Sequence, residues 1–151
     1  MKKQIEDLKE HLIEGVAVQL PGSVAAEKGE YFQFTPAALI AGYKTSRIGG
    51  GVLRSLRHKA EFRVAEYHED RETFIFISGT AIMLFLDLEN GRAKMETAHL
   101  VRIKEGTKII IEPGKGHFVP VAEGNETVCA VVEAPSMPAI KVELPEAVSA
   151  V

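Results

Sequence analysis

The sequence holds one cysteine, Cys129, so it can form no disulfide within itself. Cys129 lies in the apolar run "TVCAVVEA" and reads as a small buried core residue, because its sequence neighbours supply no cation to activate a thiolate. There is no block of basic residues. Net charge is -3, with both signs interspersed, which makes nucleic acid and anionic membrane poor partners. No apolar run reaches the length of a membrane span. The N-terminal "MKKQIEDLKEHLIEG" is charged throughout and lacks the apolar core of a signal peptide. These absences predict a protein of the reducing cytoplasm. Internal repeats and low-complexity segments are also missing. With 46% hydrophobic and 26% charged residues, the composition argues against disorder. The 151 residues are expected to form one domain, 1–151, large enough to bury about two-thirds of its unfolded surface.

What is present is a succession of short apolar runs. Ile5, Leu8, Leu12 and Ile13, closed by Gly15, have helical spacing and predict a short amphipathic helix over 1–15, with His11 on its solvated face. From Val16 onward the pattern changes. "GVAVQL", "EYFQFT", "GVLRSLR", "EFRVAEYH", "TFIFISG", "TAIMLFLDL", "AKMETAHLVRI", "TKIIIEP", "HFVPVAE" and "TVCAVVEA" follow one another. Between them stand Pro21-Gly22, Glu89-Asn90-Gly91, Pro113-Gly114 and Glu123-Gly124-Asn125. Asn90-Gly91 between two such runs is a strong hairpin signal. Many short strands with close turns predict an all-β barrel or sandwich. "TPAALIAGYKTS" fits a helical turn or an irregular link equally well. The proline-bearing tail "APSMPAIKVELPEAVSAV" is expected to cross the outside of the barrel or reach a partner. "TAIMLFLDL" is apolar on both faces, so its outer side needs a cover. The N-terminal helix or the second subunit of a homodimer would supply one.

The chemistry gathers at the entrance to one strand. If "EFRVAEYH" is extended, Phe62, Val64, Glu66 and His68 share the inner face, and Tyr67 points outward. Glu72, Phe74, Phe76 and Ser78 share a face of the next strand, and the short loop between brings Glu72 beside His68. A second set lies in "IIIEPGKGHFVPV", where His117 opens a strand after a Pro-Gly-Lys-Gly turn, with Val119 and Val121 on its face. Two buried carboxylates near imidazoles repel one another or share a proton unless a cation sits between them. Glu66, His68, Glu72 and His117 offer two nitrogens and two carboxylates. That set suits a divalent transition metal such as Zn, Mn, Fe or Ni better than Ca. Without an ion, water and Arg71 or Lys115 would have to satisfy these groups. His58 and His99 read as surface residues. Arg54 and Arg57 read as solvated strand charges, or, with Lys115, as contacts for one anionic substrate group.

His68, three residues, Glu72, six residues and Gly79 resemble the back half of the first cupin motif, G-x5-H-x-H-x3,4-E-x6-G. Gly106 to His117, with Pro113, Gly114 and Gly116, is similar to the second motif, G-x5-P-x-G-x2-H-x3-N. The resemblance covers about Val52 to Ala134 and implies a jelly-roll barrel whose core, about 52–134, carries both motifs. Three departures stand out. Glu66 occupies the position of the first motif histidine, Pro113 and His117 are closer than in the motif, and Val121 stands where the motif has Asn. The resemblance carries His68, Glu72 and His117 over as metal ligands, and Glu66 as the occupant of a ligand position.

Within that family the chain looks most like the ureidoglycolate lyase group, on its short barrel, the lone histidine before "FIFISG" and His117-Phe118-Val119-Pro120. This implies a metal-dependent lyase or hydrolase of a small hydroxy acid. Glu66 or Glu72, whichever is not a ligand, would be the general base. A second expectation is an isomerase or epimerase of a sugar or keto sugar. A third is a cupin that binds a small molecule without chemistry.

Overall fold

The computed structural model describes residues 1–124 and 127–151, so the Asn125 end of the expected turn at Glu123 lies outside the described residues. Among the described residues the chain forms fifteen strands. They are β1 (Lys2–Lys3), β2 (Ile5–Asp7), β3 (Val16–Gln19), β4 (Glu27–Lys28), β5 (Gln33–Phe34), β6 (Ile48–Ser55), β7 (Glu61–Tyr67) and β8 (Glu72–Ser78). After them come β9 (Ala81–Glu89), β10 (Arg92–Ile103), β11 (Lys108–Ile111), β12 (Gly116–His117), β13 (Val121–Ala122), β14 (Val128–Pro135) and β15 (Ile140–Ala150). A large sheet has the order β1-β15-β7-β12-β9-β10-β2, with β13 on β9. A five-stranded sheet has the order β3-β11-β8-β14-β6, and β4 pairs only with β5.

The main core lies between the two sheets. Phe74 and Phe76 from β8, Met83 and Phe85 from β9, and Ile109 and Ile111 from β11 form its centre. Burial of each such side chain contributes about 2 kcal/mol. The opposite face of the large sheet holds a second cluster, in which Leu84 and Leu86 of β9 meet Phe62, Ala65, Leu100, Leu144 and Val148. This is why "TAIMLFLDL" is apolar throughout: alternate residues enter different cores. The cover is neither a helix nor a second subunit. It is the tail of the chain, which forms β15, pairs with β7 and lies against β10, with Met1 and Ile5 packing alongside.

The Asn90-Gly91 hairpin is as expected: both residues have positive φ, and Glu89 pairs with Arg92. The expected N-terminal helix over 1–15 is not formed. Ile5–Asp7 pairs in parallel with β10 instead. Leu8 and Ile13 enter the main core and Ile5 the second cluster. A segment this short has little helical stability of its own, and the open edge of β10 offers its backbone ready partners. "TPAALIAGYKTS" resolves as an irregular strap. Gln19 pins it through Pro36 and Ala38, Lys108 through the Leu39 carbonyl, and the Tyr43 hydroxyl meets Thr73 Oγ1 at 2.7 Å.

Two glycine settings differ in kind. Gly79 has φ 77° and its Cβ would stand 2.7 Å from the Thr127 carbonyl, so no other residue fits there without strain. Gly49, Gly50 and Gly51 in β6 are extended and uncrowded. Inside a strand each costs about 0.5–1 kcal/mol relative to alanine.

At one end of the large sheet Arg102 donates to Glu123 from Nε at 2.6 Å and Nη2 at 2.8 Å, and to Asp7 from Nη1 at 3.0 Å. The Arg102 hydrogen bonds hold the Glu123 and Asp7 carboxyls below their ordinary range, and the Arg102 guanidinium is raised in turn. A depressed folded-state carboxyl stabilises above its unfolded value, so this contribution is present at neutral pH and disappears as pH falls through and below the ordinary carboxylate range. Arg102→Met should lose about 1 kcal/mol at neutral pH and flatten the acid limb. Urea unfolding at pH steps across that range measures both effects.

Candidate functional site

The site forms where the ends of β7, β8 and β12 meet. Register puts His117 directly across from Glu66 on one side and Phe85 on the other. Phe85 belongs to the main core, so Glu66 and His117 face the barrel interior with it. Gly116 makes this approach possible: a Cβ there would lie 2.8 Å from Leu86 Cδ1 and 3.0 Å from its carbonyl. From the other sheet Glu72 rises in line with Phe74 and Phe76. His68 follows β7 on a loop held at both ends. Its carbonyl accepts from Gly114 N at 2.9 Å, and buried Asp70 accepts from the backbone amides of Arg71 at 2.8 Å and Lys44 at 2.9 Å.

All four expected residues come together. Glu66, His68 and His117 each bring a ligand atom within 4.8 Å of the other two. Glu72 Oε2 lies 3.0 Å from His117 Nε2 and 3.6 Å from His68 Nε2. The two rings stand 5.4 Å apart at 42°. Both histidines are buried, His117 almost completely.

The hydrogen bonds fix the tautomers. His117 Nδ1 faces the Lys115 carbonyl at 3.0 Å and His68 Nδ1 faces the Pro138 carbonyl at 3.1 Å. A carbonyl only accepts, so each Nδ1 carries the proton and donates it. In a neutral ring Nε2 is then a bare lone pair turned into the cluster. His68 Nε2 is buried without a hydrogen-bond partner, and Glu66 makes no hydrogen bond or ion pair among the described residues. Lone pairs and carboxylates directed at one point repel in the absence of a positive charge. The two cations expected to supply it, Arg71 and Lys115, are engaged elsewhere. Arg71 clasps Glu112 at 2.9 and 2.8 Å, and Lys115 binds Asp87 at 2.5 Å. The donor set therefore fits a divalent transition ion, with Nδ1 of each ring already oriented by a backbone acceptor.

Several expectations need correction. Phe62 does not share the inner face with Glu66; it joins the second cluster with Ala65, where partner strand β15 shifts register between Glu143 and Val148. His117, Val119 and Val121 do not form one strand face, because the chain leaves the ladder at Phe118–Pro120, Val119 is exposed and Val121 packs on the second cluster. Arg54 and Arg57 stand at or beyond the far end of β6 from Glu72, and Arg54 pairs with Cys129 on the outer face. Cys129 is correspondingly not a core residue. It is half-buried, and hydrogen bonds to Ser78 and Arg54 lower its thiol. His11 and His58 are exposed, as expected, and His99 pairs with Glu6 at 3.0 Å.

The orienting carbonyls of Lys115 and Pro138 were invisible in the sequence. Lys115 had one signal, its place in the turn two residues before His117. Pro138 had none, since it is seventy positions from His68. The tautomers have a direct check. Long-range 1H–15N correlation spectra should show both rings protonated at Nδ1 when neutral, and added Zn should shift both Nε2 resonances. An Nε2–H tautomer in either ring would remove the basis of the metal fit.

No protein-family model and no curated protein sequence matches the chain. Solved structures do. A dTDP sugar isomerase from Desulfovibrio desulfuricans G20 is similar with TM-score 0.58 and 11% identity, over 89% of this chain and 86% of that one. The dTDP-6-deoxy-D-glucose-3,5-epimerase RmlC from Legionella pneumophila Philadelphia 1, in complex with dTDP-4-keto-L-rhamnose, gives 0.53 and 10% over 93% and 74%. NovW, a 4-keto-6-deoxy sugar epimerase from the novobiocin cluster of Streptomyces spheroides, gives 0.52 and 13% over 95% and 76%. At these identities the likeness is one of fold: the chain is an all-β jelly-roll barrel of the cupin type.

Proposed function

We propose that the chain is a sugar isomerase or epimerase acting beside a carbonyl, with Glu66, His68, Glu72 and His117 as its reacting centre. The observation that carries this reading is the unequal engagement of the two carboxylates: Glu72 touches both imidazoles, while Glu66 has no partner among the described residues. The fold shared with sugar isomerases and epimerases supports it.

His68, His117 and Glu72 would hold a divalent Zn, Mn, Fe or Ni ion, with Glu66 within reach as a further ligand. When bound, such an ion supplies polarisation of a substrate carbonyl. Glu66 is the base. Its carboxylate accepts the proton from the carbon beside the carbonyl, and the C–H electron pair passes into the enol system. Return of the proton to the former carbonyl carbon, with the hydroxyl proton passing from one enediol oxygen to the other, completes an isomerisation; delivery of a solvent proton to the opposite face completes an epimerisation.

The lyase reading draws on the same donors, since they also suit the carboxylate and hydroxyl of a ureidoglycolate-type hydroxy acid. A homodimer belongs to the proposal as well. Ile48, Val52 and Ile77 are exposed on the outer face of β6 and β8, an apolar patch suited to a second copy. Light scattering on a size-exclusion column would return a strict monomer if that is wrong.

The reaction is tested by incubating wild type, Glu66→Gln and Glu72→Gln with a dTDP-linked 4-keto-6-deoxy sugar in D2O, alongside elemental analysis after dialysis against each metal. Glu66→Gln should keep its metal and lose deuterium incorporation by about 10²–10⁴-fold. Glu72→Gln should lose both. Undiminished exchange in Glu66→Gln would dismiss Glu66 as the base. Urea release from ureidoglycolate would move the assignment to the lyase, and ligand binding without turnover in every variant to a binding module.

A further inference from the structure

A polar cavity lies at the end of the barrel away from the cluster. Along β11 the cluster end is marked by Ile111, which pairs with Glu72. Thr107 precedes Ile111 by about 13 Å of extended chain. Its carbonyl accepts from Phe76 N at 2.9 Å. Beside it is a cavity of about 220 Å³. Three pieces of chain wall this space: the end of β2, the turn after β3 and the turn from β10 into β11.

Thr107 alternates with Ile109 and Ile111, which belong to the main core, so its side chain also turns inward. The residue is 1% exposed, yet its Oγ1 has no hydrogen-bond partner among the described residues. A buried hydroxyl without a partner is destabilising and marks a place where an acceptor is missing. Lys104 stands on the same wall and is exposed. Its ammonium forms no hydrogen bond or ion pair among the described residues, and its charge acts on Asp7 only at a distance. The other charged groups of the wall are matched within the chain. Arg102 binds Asp7 and Glu123, and Asp7 is held by Arg102 in return. What is left over is donor capacity, one hydroxyl and one ammonium. The rest of the wall is apolar. Leu8 packs into the main core and Leu20 lies against it. Pro21 closes over Gly106, where a Cβ would stand 3.1 Å from the Pro21 Cβ.

We propose that this cavity binds a small monocarboxylate with an apolar tail. The carboxylate accepts from Thr107 Oγ1 and Lys104 Nζ, and the tail lies against Leu8, Leu20 and Pro21. The volume is below the roughly 300–1,000 Å³ of sites for drug-sized ligands, which limits the tail to a few carbons. An amine would meet Lys104 as a like charge, and an alcohol would leave the ammonium unanswered. The site is separate from Glu66, His68, Glu72 and His117. It is joined to them through β8, which carries Glu72 at one end and meets Thr107 at Phe76. It stands whatever reaction the cluster performs.

The test titrates sodium hexanoate into the full chain and follows 1H–15N amide shifts, with hexan-1-ol and hexylamine as comparisons. Hexanoate should give saturable shifts at Leu8, Lys104, Gly106 and Thr107 and bind more tightly than either comparison. Lys104→Gln, at an exposed position, should weaken hexanoate about tenfold and leave hexan-1-ol unchanged. Thr107→Val should weaken hexanoate by a similar factor. It should also unfold at equal or higher urea, because it removes an unanswered hydroxyl. Thr107→Ser should restore binding. Shifts confined to other residues, no saturable shift, equal or tighter binding of the alcohol or the amine, or full affinity in Thr107→Val would overturn the site. So would a loss of stability in Thr107→Val, since the hydroxyl would then be engaged within the protein.

Discussion

Two backbone carbonyls, those of Lys115 and Pro138, set the polarity of the whole cluster. By accepting from Nδ1 they leave each imidazole nothing to donate from Nε2 in the neutral state. Both Nε2 atoms then face carboxylates, and neither carboxylate is paired with an arginine or lysine in any ion pair seen among the described residues. The arrangement is electrostatically incomplete. A proton shared with Glu72 balances part of it. A divalent cation would balance all of it, and would also answer for Glu66 and for the orphaned nitrogen of His68.

Much of the surrounding structure serves to hold the Lys115 carbonyl and the His68 loop in place. The turn bearing Lys115 is tied to the His68 loop by the Gly114 amide and to β9 by the buried Lys115 ammonium on Asp87. Removing one partner of such a pair strands the other, so the pair resists drift of the turn. Gly116 lets β12 press against Leu86, which fixes how far His117 projects. Asp70 braces the opposite loop, and Arg71 with Glu112 spans from that loop to the end of β11. None of these groups touches the cluster's open side. They limit where its donors can be.

What the sequence revealed was governed by local rules. The period-two strands, the Asn90-Gly91 hairpin and the four polar residues at strand entrances all follow from alternation and turn chemistry over a few positions. Where a second element intervened, the same rules failed. Ile5, Leu8 and Ile13 kept their apolar character but served two different cores as strand and turn, because β10 had an edge to offer. Phe62 left its predicted face where β15 changes register, and Val119 did so because Pro120 cannot donate to a ladder. Arg71 and Lys115 were reasonable partners for the carboxylates on sequence distance alone. Their commitment to Glu112 and Asp87 depends on contacts 41 and 28 positions away. The Pro138 carbonyl lies beyond any local rule, although it decides which nitrogen of His68 faces inward.

The two sheets divide the work unequally, and this bears on what kind of site the barrel can host. The large sheet is buried on both faces, so Glu66 and His117 stand on strands that cannot shift without disturbing two cores at once. The small sheet is anchored at β8 and β11 and thins toward β6, whose inward face near the site is bare backbone. A reacting centre needs donors held to within fractions of an ångström, whereas substrate admission needs room. Rigid donors beside an edge without side chains meet both needs within one barrel.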